Sequence, residues 1–514
     1  MERATGYPQR LLALLDGSAG PAADRPVFER GPRVVTADEL LDLVARLAAG
    51  LRQAGIGPGD GVAVALGVTP EAFAATIAVP VVGARLSGVR PGLPPAQLAA
   101  LLAADVTAVL VDAAGATQAL RAAAAGLPLL GVGPVPGLAD LTMTPPDGGP
   151  LECTARPDDV ARIVWTSGST GLPKGCAQTY RAMAASWTID PAAWSPGVQE
   201  LAAGLGRYLV FGSLASYVMA EYGALTLAAG GVLVAADPPA FPGMIPALRA
   251  TASVMTVPRL HQLVATQRTA PVDLSSLRAL VVSGSRLDPG RLAEALDVLG
   301  PVVHHGYGQT EAGLISLAGP AEMMACSAVL DSVGRPVPGA EVEVGADGEL
   351  VVRTPWQAAG YWGDPAGTAE VFVDGRVRTR DLGYLDADGL LHLTGRARDV
   401  VIVGAELVHP GPIERVLGTH PDVVEAYVVG APSEETGEAV HAFVVLRDGA
   451  APDGVTRDGA APDLAVLRTL VAGELGAAAA PATVTAIGEV PVAPSGKPDR
   501  GALAALLGAG LPTA

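Results

Sequence analysis

Cysteine is scarce in this chain of 514 residues, and its scarcity limits the class of protein. The three cysteines, Cys153, Cys176 and Cys326, are odd in number and widely spaced. They provide neither a disulfide framework nor the paired spacing of a zinc site. Such usage is typical of reduced thiols, so we expect a cytoplasmic protein.

Positive charge is also in deficit. Lys and Arg total 34 against 52 Asp and Glu, which gives a formal net charge of −18. Nucleic acids favour basic surfaces, as do anionic membranes, so we expect neither as a partner. An anionic cofactor must therefore be held by local loops rather than by the overall field of the protein.

An apolar leader and long uninterrupted apolar runs are lacking as well. Residues 1–4 contain no signal-peptide core. The most apolar stretch, 208–236, contains Glu221, and a charge in mid-membrane is costly, so no membrane span is expected. Half of the residues are nevertheless apolar and only 17% are charged. A chain of this length and composition is expected to form at least two domains with buried cores.

Short apolar strands alternate with amphipathic helices in the first part of the chain. Thr36 and Glu39 form a predicted capping box at the start of one helix. Strands are predicted at 62–65, 81–86 and 108–111, with helices between them. This alternation predicts an α/β fold in which helices cover parallel sheets.

The pattern changes after about residue 330, where short strands and Gly/Asp turns predict a β-rich subdomain at about 330–398. The polar break at 395–399 is the predicted domain boundary. It divides the chain into an N-terminal domain, 1–398, and a C-terminal α+β domain, 399–514, which is large enough to fold alone. A duplicated turn-forming sequence at 448–463 is interpreted as a surface loop without an assigned function.

The most informative stretch follows a predicted strand that ends at Trp165. Glycine backbone and hydroxyl groups suit a concave anion-binding nest, and Lys174 adds a mobile cation. The order differs from a P-loop, which closes on Gly-Lys-Ser/Thr. A solvated Ser/Gly linker is the alternative, but a linker has no reason to lie between an apolar strand and Pro173-Lys174-Gly175. We predict a polyphosphate site formed by Thr166, Ser167, Gly168, Ser169, Thr170, Gly171 and Lys174.

This segment resembles the phosphate loop of the adenylate-forming superfamily, which includes acyl-CoA synthetases, adenylation domains of peptide synthetases and luciferases. Further segments resemble that superfamily's motifs in the same order, from about residue 30 to 507. The resemblance implies a large N-terminal adenylation domain hinged to a small mobile C-terminal domain. It also implies that ATP activates a carboxylic acid, with AMP and pyrophosphate as products.

The segment 306–311 resembles the family motif Tyr-Gly-x-Thr-Glu. Taken alone, it would equally suit a capped turn between a strand and a helix. The resemblance implies that Tyr307 and Gly308 contact the adenine ring and that Thr310 contacts phosphate. Glu311 offers a hard oxygen ligand for Mg²⁺.

Two other segments complete the expected nucleotide site. Gly284 and Ser285 lie in a stretch that resembles the adenine-lining segment. Thr379-Arg380-Asp381 resembles the family's Thr-Gly-Asp, with arginine in place of glycine. Asp381 is the expected ligand of the ribose diol, because a carboxylate can accept two hydroxyl hydrogen bonds. Tyr361 and Trp362 resemble a packing motif and are interpreted as structural.

The resemblance also assigns residues on both sides of the predicted boundary. Arg396 is expected to hold ribose or phosphate, and Asp399 to act as the hinge. The segment 491–500 resembles the catalytic-lysine segment, so Lys497 is expected to bridge the acid's carboxylate and the α-phosphate. Together with Glu311 and Thr310, it forms the expected catalytic set.

The acid is expected to bind among residues that are mostly apolar and include no obvious cation. By resemblance these are Tyr217, Val257, Gly284, Gly306 and Leu314. We therefore predict an uncharged aryl or alkyl carboxylic acid rather than an amino acid or a dicarboxylate.

Coenzyme A is the predicted acceptor, giving a thioester. Three departures favour an alternative in which the enzyme joins the acid to an amine or amino acid. Leu407 and Pro412 replace a usual Asn and Glu, and no histidine lies near Ala215. A second alternative is a non-catalytic nucleotide-binding protein on the same fold. A carrier protein is not expected as the acceptor, because no carrier segment follows Arg500.

Overall fold

The structure is a computed structural model that describes residues 6–17, 23–166, 174–186, 188, 191–214, 216–285, 287–397, 399–404, 406–433, 435–447, 464–493 and 497–508. Within these residues the α-helices are α1 (Gln9–Leu15), α2 (Ala37–Gln53), α3 (Pro70–Val81), α4 (Pro95–Leu102), α5 (Gln118–Ala123), α6 (Tyr180–Ala184), α7 (Pro196–Gly204), α8 (Tyr217–Ala228), α9 (Met244–Ala247), α10 (Val257–Thr269), α11 (Pro289–Leu299), α12 (Pro320–Ala325), α13 (Pro365–Val371), α14 (Pro410–Gly418), α15 (Leu464–Leu475) and α16 (Arg500–Gly508).

The strands are β1 (Pro26–Arg30), β2 (Arg33–Thr36), β3 (Gly61–Ala65), β4 (Arg85–Gly88), β5 (Ala108–Val111), β6 (Leu129–Gly131), β7 (Val160–Thr166), β8 (Lys174–Thr179), β9 (Arg207–Leu209), β10 (Val232–Ala235), β11 (Ala252–Thr256), β12 (Ala279–Ser283), β13 (Val303–Gln309), β14 (Gly313–Ala318), β15 (Arg335–Pro336), β16 (Glu341–Val344), β17 (Glu349–Arg353), β18 (Gly360–Tyr361), β19 (Phe372–Val373), β20 (Arg376–Leu385), β21 (Leu391–Arg396), β22 (Val401–Val403), β23 (Glu406–Val408), β24 (Val423–Ser433), β25 (Gly437–Leu446) and β26 (Thr483–Ala486).

Two large sheets form the first part of the molecule. The nine-stranded sheet has the order β15-β14-β13-β12-β11-β9-β10-β1-β2, and its strands from β13 to β1 run parallel. The seven-stranded sheet has the order β18-β8-β7-β4-β3-β5-β6, with antiparallel pairing only at the β8 and β18 end. Strands joined by helical crossovers must run parallel, so the predicted α/β class is confirmed.

Two smaller sheets follow. Strands β16, β17, β19, β20 and β21 form an antiparallel sheet. Strands β22 to β26 form a mixed sheet after residue 400, in which only β26 runs parallel to its neighbour, β25. A large N-terminal unit of parallel sheets and a smaller C-terminal unit are thus present. The predicted boundary between residues 398 and 399 and the limits of the β-rich subdomain stay predictions. The duplicated sequence at 448–463 lies outside the described residues.

Local sequence signals explain where several elements begin. Thr36 caps α2 as expected, since Oγ1 accepts from the Glu39 amide at 3.3 Å and the Thr36 amide donates to Glu39 at 2.9 Å. The strand predicted at 81–86 was placed too early in the chain. Thr69 caps α3, which is buried on nearly every side and continues to Val81, so β4 begins only at Arg85.

The apolar stretch at 208–236 folds into β9, α8 and β10, and Glu221 is buried on α8. No helix in the described part of the chain is both long and apolar enough to cross a bilayer.

Two adjacent histidines are buried in β13, directly before the predicted nucleotide motif. His304 and His305 are 1% and 4% exposed, and burial lowers the pKa of each imidazole from 6.5 to about 4. Neither His304 Nε2 nor His305 Nδ1 has a hydrogen-bond partner in the described structure. Both rings are therefore neutral in the folded protein near pH 7.

We predict that these histidines make the fold acid-sensitive. Between pH 6.5 and 4 the unfolded imidazoles bind protons that the folded ones do not, so stability falls as the pH falls through this interval. Each histidine can contribute up to about 3 kcal/mol to this loss. The test follows the urea midpoint from pH 7 to 4.5 in the wild type and in a His304→Gln/His305→Gln variant. The variant should lose less stability on acidification, whereas His420→Gln, near the surface Asp422, should behave as the wild type does. Equal losses in all three proteins would contradict the prediction.

Candidate active site

The predicted phosphate loop connects the antiparallel strands β7 and β8. Thr166 and Lys174 are opposite each other in the register, and Thr166 Oγ1 donates to the Lys174 carbonyl oxygen at 3.2 Å. This pair fixes both ends of the loop. The predicted phosphate ligands between them, Ser167, Gly168, Ser169, Thr170 and Gly171, lie outside the described residues.

An aromatic residue from β18 connects this hairpin to the predicted metal ligand. Tyr361 is opposite Cys176 on β8, and its hydroxyl donates to Glu311 Oε1 at 2.6 Å. The ammonium of Lys174 lies 4.8 Å from the Tyr361 ring centroid and 3.4 Å from Asp364 Oδ2. Burial and the Glu311 carboxylate raise the pKa of Tyr361, so its hydroxyl remains a donor. The interpretation of Tyr361 as a packing residue alone was therefore incomplete.

Asp381 accepts hydrogen bonds from two side chains that belong to different parts of the chain. Tyr307 donates its hydroxyl to Oδ2 at 2.7 Å, and Arg396 Nε donates to Oδ1 at 2.9 Å. Asp381 is buried, and its amide donates to Thr379 Oγ1 at 3.1 Å. The pKa of Tyr307 is raised well above its usual value, first by burial and then by this carboxylate. Three predicted nucleotide contacts thus form one cluster.

The residue before Asp381 adopts a backbone conformation that favours glycine. Arg380 has a φ of +60°, in the left-handed region. Its amide donates to Glu349 Oε1 at 2.9 Å, and its guanidinium contacts Glu370 at 2.6 Å. These contacts hold Arg380 in a position where the resembling motif has glycine.

Backbone contacts hold Lys497 beside the segment that ends at Ala493. Val492 and Pro498 form an isolated bridge, and the Ala493 amide donates to the Lys497 carbonyl oxygen at 2.8 Å. The Lys497 side chain reaches the turn after β12, where its Cε lies 3.3 Å from the position that a Cβ on Gly284 would occupy. Gly284 has a φ of +95°, so glycine serves both the turn and this close approach.

Four charged side chains influence the pKa of Lys497 and show which residues lie near it. Lys497 is exposed to solvent, but the neighbouring protein atoms remove part of its hydration and lower its pKa. Arg396 and Arg90 lower this pKa further, whereas Glu311 and Asp381 act in the opposite direction. Lys497 therefore lies within electrostatic range of the predicted metal ligand and the predicted ribose ligand. Arg90, in the loop after β4, was not identified from the sequence.

Side-chain contacts hold the C-terminal part in this position. His261 Nδ1 on α10 lies 2.6 Å from Glu425 Oε1 on β24, and Tyr427 donates to Glu425 Oε2 at 2.6 Å. Arg291 on α11 donates from Nε to the Val424 carbonyl oxygen at 2.8 Å. These contacts lie between the large and the small sheets and fix the orientation that places Lys497 in the cleft.

The remaining predicted residues occupy strand ends around the same cleft. Thr310 follows β13, Gly308 lies near its end, and Ser285 follows Gly284. A Cβ on Gly308 would lie 2.4 Å from the Gly313 carbonyl oxygen, so only glycine fits there. Asp399 lies between β21 and β22, where its Oδ2 is 4.0 Å from Arg500 Nε.

The residues of the predicted acid pocket are only partly brought together. A Cβ on Gly306 would lie 3.6 Å from Leu314 Cδ1, and Val257 follows Thr256, which pairs with Ser283 next to Gly284. Tyr217 instead lines a buried cavity, with the Arg162 guanidinium 5.3 Å from its ring centroid. The composition of the acid pocket stays a prediction. Arg162 comes from β7, and its proximity to Tyr217 depends on how α8 packs on the sheet.

One signal in the sequence could have strengthened the site prediction. The chain contains only two lysines, Lys174 and Lys497, although it contains many arginines. Both lysines lie in this cleft. Because lysine occurs nowhere else in the chain, the sequence alone indicates that these two positions require it.

The family follows from this constellation and from comparison with known proteins. The model of the AMP-binding enzyme family matches residues 15–362, and that of the AMP-binding enzyme C-terminal domain matches residues 412–497. The chain belongs to the AMP-binding enzyme family, and it is an AMP-forming ligase. The predicted membership of the adenylate-forming superfamily is confirmed.

Individual relatives extend the likeness over most of the chain. A feruloyl-CoA synthase from an Amycolatopsis species is 34% identical over 464 residues, covering 86% of this chain and 89% of the relative. The medium/long-chain-fatty-acid–CoA ligase FadD8 from Mycobacterium tuberculosis is 30% identical over 523 residues, covering 96% and 89%. The solved structure of the amide bond synthetase McbA from Marinactinospora thermotolerans is 34% identical with a TM-score of 0.83, covering 98% of this chain and 99% of that one.

We predict that Tyr361→Phe slows pyrophosphate exchange on the order of tenfold. The variant removes the hydroxyl that orients the Glu311 carboxylate, and a hydrogen bond to a charged group contributes about 1.5–3 kcal/mol. The rate is measured over a range of Mg²⁺ concentrations. Tyr384→Phe is the matched control, because Tyr384 is exposed and stacks on His392 away from the cleft. An unchanged rate for Tyr361→Phe at every Mg²⁺ concentration would exclude this role of the hydroxyl.

Proposed function

We propose that this enzyme uses ATP to convert a small-molecule carboxylic acid into an acyl adenylate at the cleft around Lys497, and then passes the acyl group to a second substrate. The observation that carries the proposal is the convergence of Lys497, Glu311 and Asp381 from three separate segments. A cation, a hard oxygen ligand and a diol acceptor in one cleft are the groups that this chemistry needs.

In this proposal the nucleotide binds along the ends of β13, β12 and β20. Tyr307, Gly308, Gly284 and Ser285 contact adenine, and Asp381 accepts from the ribose hydroxyls. Its oxygens already accept from Tyr307 and Arg396, but each oxygen can accept a second hydrogen bond. Arg396 contacts ribose or phosphate, and Thr310 contacts phosphate.

The pyrophosphate is proposed to lie over the β7–β8 hairpin. Thr166, Lys174 and the residues 167–171 are its proposed ligands. Glu311 fits a Mg²⁺ ion, since its carboxylate is only partly buried and is oriented by Tyr361. In the described part of the chain no group of three metal-binding side chains exists, so phosphate and water oxygens would complete the coordination. The ion would neutralise charge on the phosphates.

Adenylation requires little covalent participation from the protein. The acid's carboxylate oxygen attacks the α-phosphorus, and the bond to the bridging oxygen breaks as pyrophosphate leaves. Lys497 is proposed to hold both the carboxylate and the α-phosphate, so that their mutual repulsion is offset and the attacking oxygen is in line. Arg90 and Arg396 add positive charge to the same region.

Lys497→Ala should slow adenylation by about 10²–10³, the scale for loss of one preorganised stabilising charge. Transfer from pre-formed acyl adenylate should persist, because rotation about the proposed hinge at Asp399 would move Lys497 out of the cleft. Pyrophosphate exchange measures the first step, and AMP release from added acyl adenylate measures the second. Arg468→Ala, an exposed cation on α15, is the control. Normal exchange in Lys497→Ala would refute the assignment, and equal loss of both steps would refute the rotation.

Coenzyme A is the proposed acceptor. Its thiol sulfur would attack the acyl carbon, AMP would leave, and the thiol proton would pass to solvent. The likeness to feruloyl-CoA synthase and FadD8 over most of their lengths supports this choice. A cytoplasmic location and the absence of a carrier-protein acceptor stay predictions.

An amine is the second candidate acceptor, and it has specific support. The likeness to the amide bond synthetase McbA spans nearly the whole of both chains. Leu407 is 68% exposed on β23 beside the 50% exposed Ile402, so apolar side chains occupy the loop that the superfamily uses for coenzyme A. An acyl adenylate shielded from water reacts with an ordinary amine, which would need no surface that recognises a nucleotide.

A direct competition distinguishes the two acceptors. The best acid and ATP are supplied with coenzyme A and a panel of amines and amino acids at equal concentrations, and mass spectrometry identifies the products. We expect the thioester to predominate. Formation of an amide without any thioester would identify an amine as the acceptor in place of coenzyme A. AMP release that requires an amine but not coenzyme A would lead to the same conclusion. Either result would leave the adenylation proposal intact.

A further inference from the structure

A largely buried polar pair connects the C-terminal sheet to the nine-stranded sheet. His261 Nδ1 on α10 lies 2.6 Å from Glu425 Oε1 on β24, and the two side chains are only 15% and 12% exposed. The Tyr427 hydroxyl donates to the other carboxylate oxygen, Oε2, at 2.6 Å. Because α10 packs on β11 and β12, the pair joins two sheets that are distant in sequence.

The surroundings of the pair determine which atom donates. Burial would raise the pKa of Glu425, but hydrogen bonds from His261 and Tyr427 and the charge of Arg291 lower it overall. Glu425 is therefore a carboxylate near pH 7 and can only accept, so His261 Nδ1 must carry the shared proton. His261 Nε2 is buried and has no hydrogen-bond partner in the described structure. Within the described residues, the imidazole thus directs its hydrogen bonding to the C-terminal sheet.

A β-bulge next to Glu425 provides a second contact. The register of β24 against β25 shifts between Val423 and Glu425, so Val424 is the extra residue of the bulge. The Val424 carbonyl oxygen accepts from Arg291 Nε on α11 at 2.8 Å. The Arg291 side chain is buried against α11 by its contact with Glu294. The bulge therefore leaves a backbone acceptor available to an arginine of the nine-stranded domain.

Strand β24 also holds the segment that follows Lys497. Arg500, the first residue of α16, donates to the Val428 carbonyl oxygen on β24 and to Glu414 Oε1, the latter at 2.7 Å. Glu414 Oε1 also accepts from the Val428 amide at 2.9 Å. Glu425 lies on this same strand. The backbone near Lys497 is thus tied to the strand that contacts α10 and α11.

Lys497 itself has little to hold it at the cleft. Its Cε lies 3.3 Å from the position of a Cβ on Gly284, but the residue is exposed. Among the described residues, no hydrogen bond or ion pair holds its ammonium. A long side chain of this kind reaches a reacting group only if its backbone is held nearby, and a displacement of about 1 Å can slow a reaction on the order of 10²-fold.

We propose that His261 and Glu425 are positioning residues for adenylation. Their hydrogen bond, together with the Arg291 contact, holds the C-terminal sheet against α10 and α11 and thereby keeps Lys497 beside the acid and the α-phosphate. The inference rests on the proposed function, because it takes Lys497 to act there. Neither residue touches a substrate, and their effect is confined to the first step, since Lys497 is not needed once the acyl adenylate exists.

The first test separates the two steps in His261→Phe, which keeps an aromatic ring but removes the donor. Pyrophosphate exchange with the best acid measures adenylation, and AMP release from added acyl adenylate measures transfer. We expect the kcat of exchange to fall about tenfold, the scale for losing a hydrogen bond to a charged group. The KM for ATP and the transfer rate should stay within about twofold. Unchanged exchange in the folded variant, or equal loss of both steps, would overturn the inference.

A conservative variant tests whether the donor itself matters. The amide nitrogen of asparagine can occupy the place of His261 Nδ1 and donate to Glu425. His261→Asn should therefore retain most of the exchange rate that His261→Phe loses. Equal losses in the two folded variants would overturn the role of this hydrogen bond.

A double-mutant cycle tests whether the pair acts through Lys497. In a Lys497→Ala background, His261→Phe should lower the residual exchange rate by less than about twofold, because the group that it positions is already absent. A further tenfold loss in the double variant would show that His261 acts independently of Lys497 and would overturn the inference.

His441→Phe is the matched control. His441 Nδ1 lies 2.9 Å from Thr483 Oγ1, a contact of the same kind that stays within the C-terminal sheet. This variant should leave exchange within about twofold, and a tenfold loss would overturn the special role of the interface. Thermal unfolding checks each fold. If His261→Phe does not fold, Arg291→Gln, which removes the contact with Val424, decides by the same measurements.

Failure of this inference differs from failure of the proposed function. If the wild type shows no pyrophosphate exchange with any acid, the proposed function is overturned and this inference with it. If the wild type exchanges pyrophosphate and the folded interface variants do so equally fast, only this inference is overturned.

Discussion

The carboxylate of Asp381 is the interaction on which the geometry of this cleft depends. It accepts from Tyr307 on β13, the last of the parallel strands in the nine-stranded sheet, and from Arg396, the final residue of β21. Asp381 itself lies on β20 of the antiparallel sheet. One buried charge thus connects the two N-terminal sheets that border the nucleotide site, because a carboxylate removed from water must keep its partners.

The backbone directly before this carboxylate is strained at Arg380. Arg380, directly before Asp381, has a left-handed backbone, and glycine would adopt this conformation without cost. This chain uses arginine, and Glu349 and Glu370 hold its amide and its guanidinium in place. The arginine thus keeps the conformation that glycine favours and forms an ion pair with Glu370.

Local patterns predicted the elements, whereas the site required knowledge of how distant segments pack. The capping box at Thr36 and the strand at 108–111 were predictable because hydrogen bonds and periodicity within a few residues define them. The strand at 81–86 was misplaced because α3 is apolar on all sides and has no helical periodicity to detect. Motif resemblance indicated Lys497 and Asp381, but Tyr361 and Arg90 approach the site only through sheet register and the packing of distant segments.

The scarcity of lysine has a chemical consequence for an enzyme of this class. An acyl adenylate that escapes reacts with exposed amines, and the ε-amino groups of lysine are the usual targets in proteins. Here both ε-amino groups lie beside the proposed site of adenylate formation, and arginine supplies the positive charge elsewhere. Arginine stays protonated and does not compete as a nucleophile. The surface is thus poor in groups that the enzyme's own product could modify, and self-acylation of a lysine could occur only at Lys174 or Lys497.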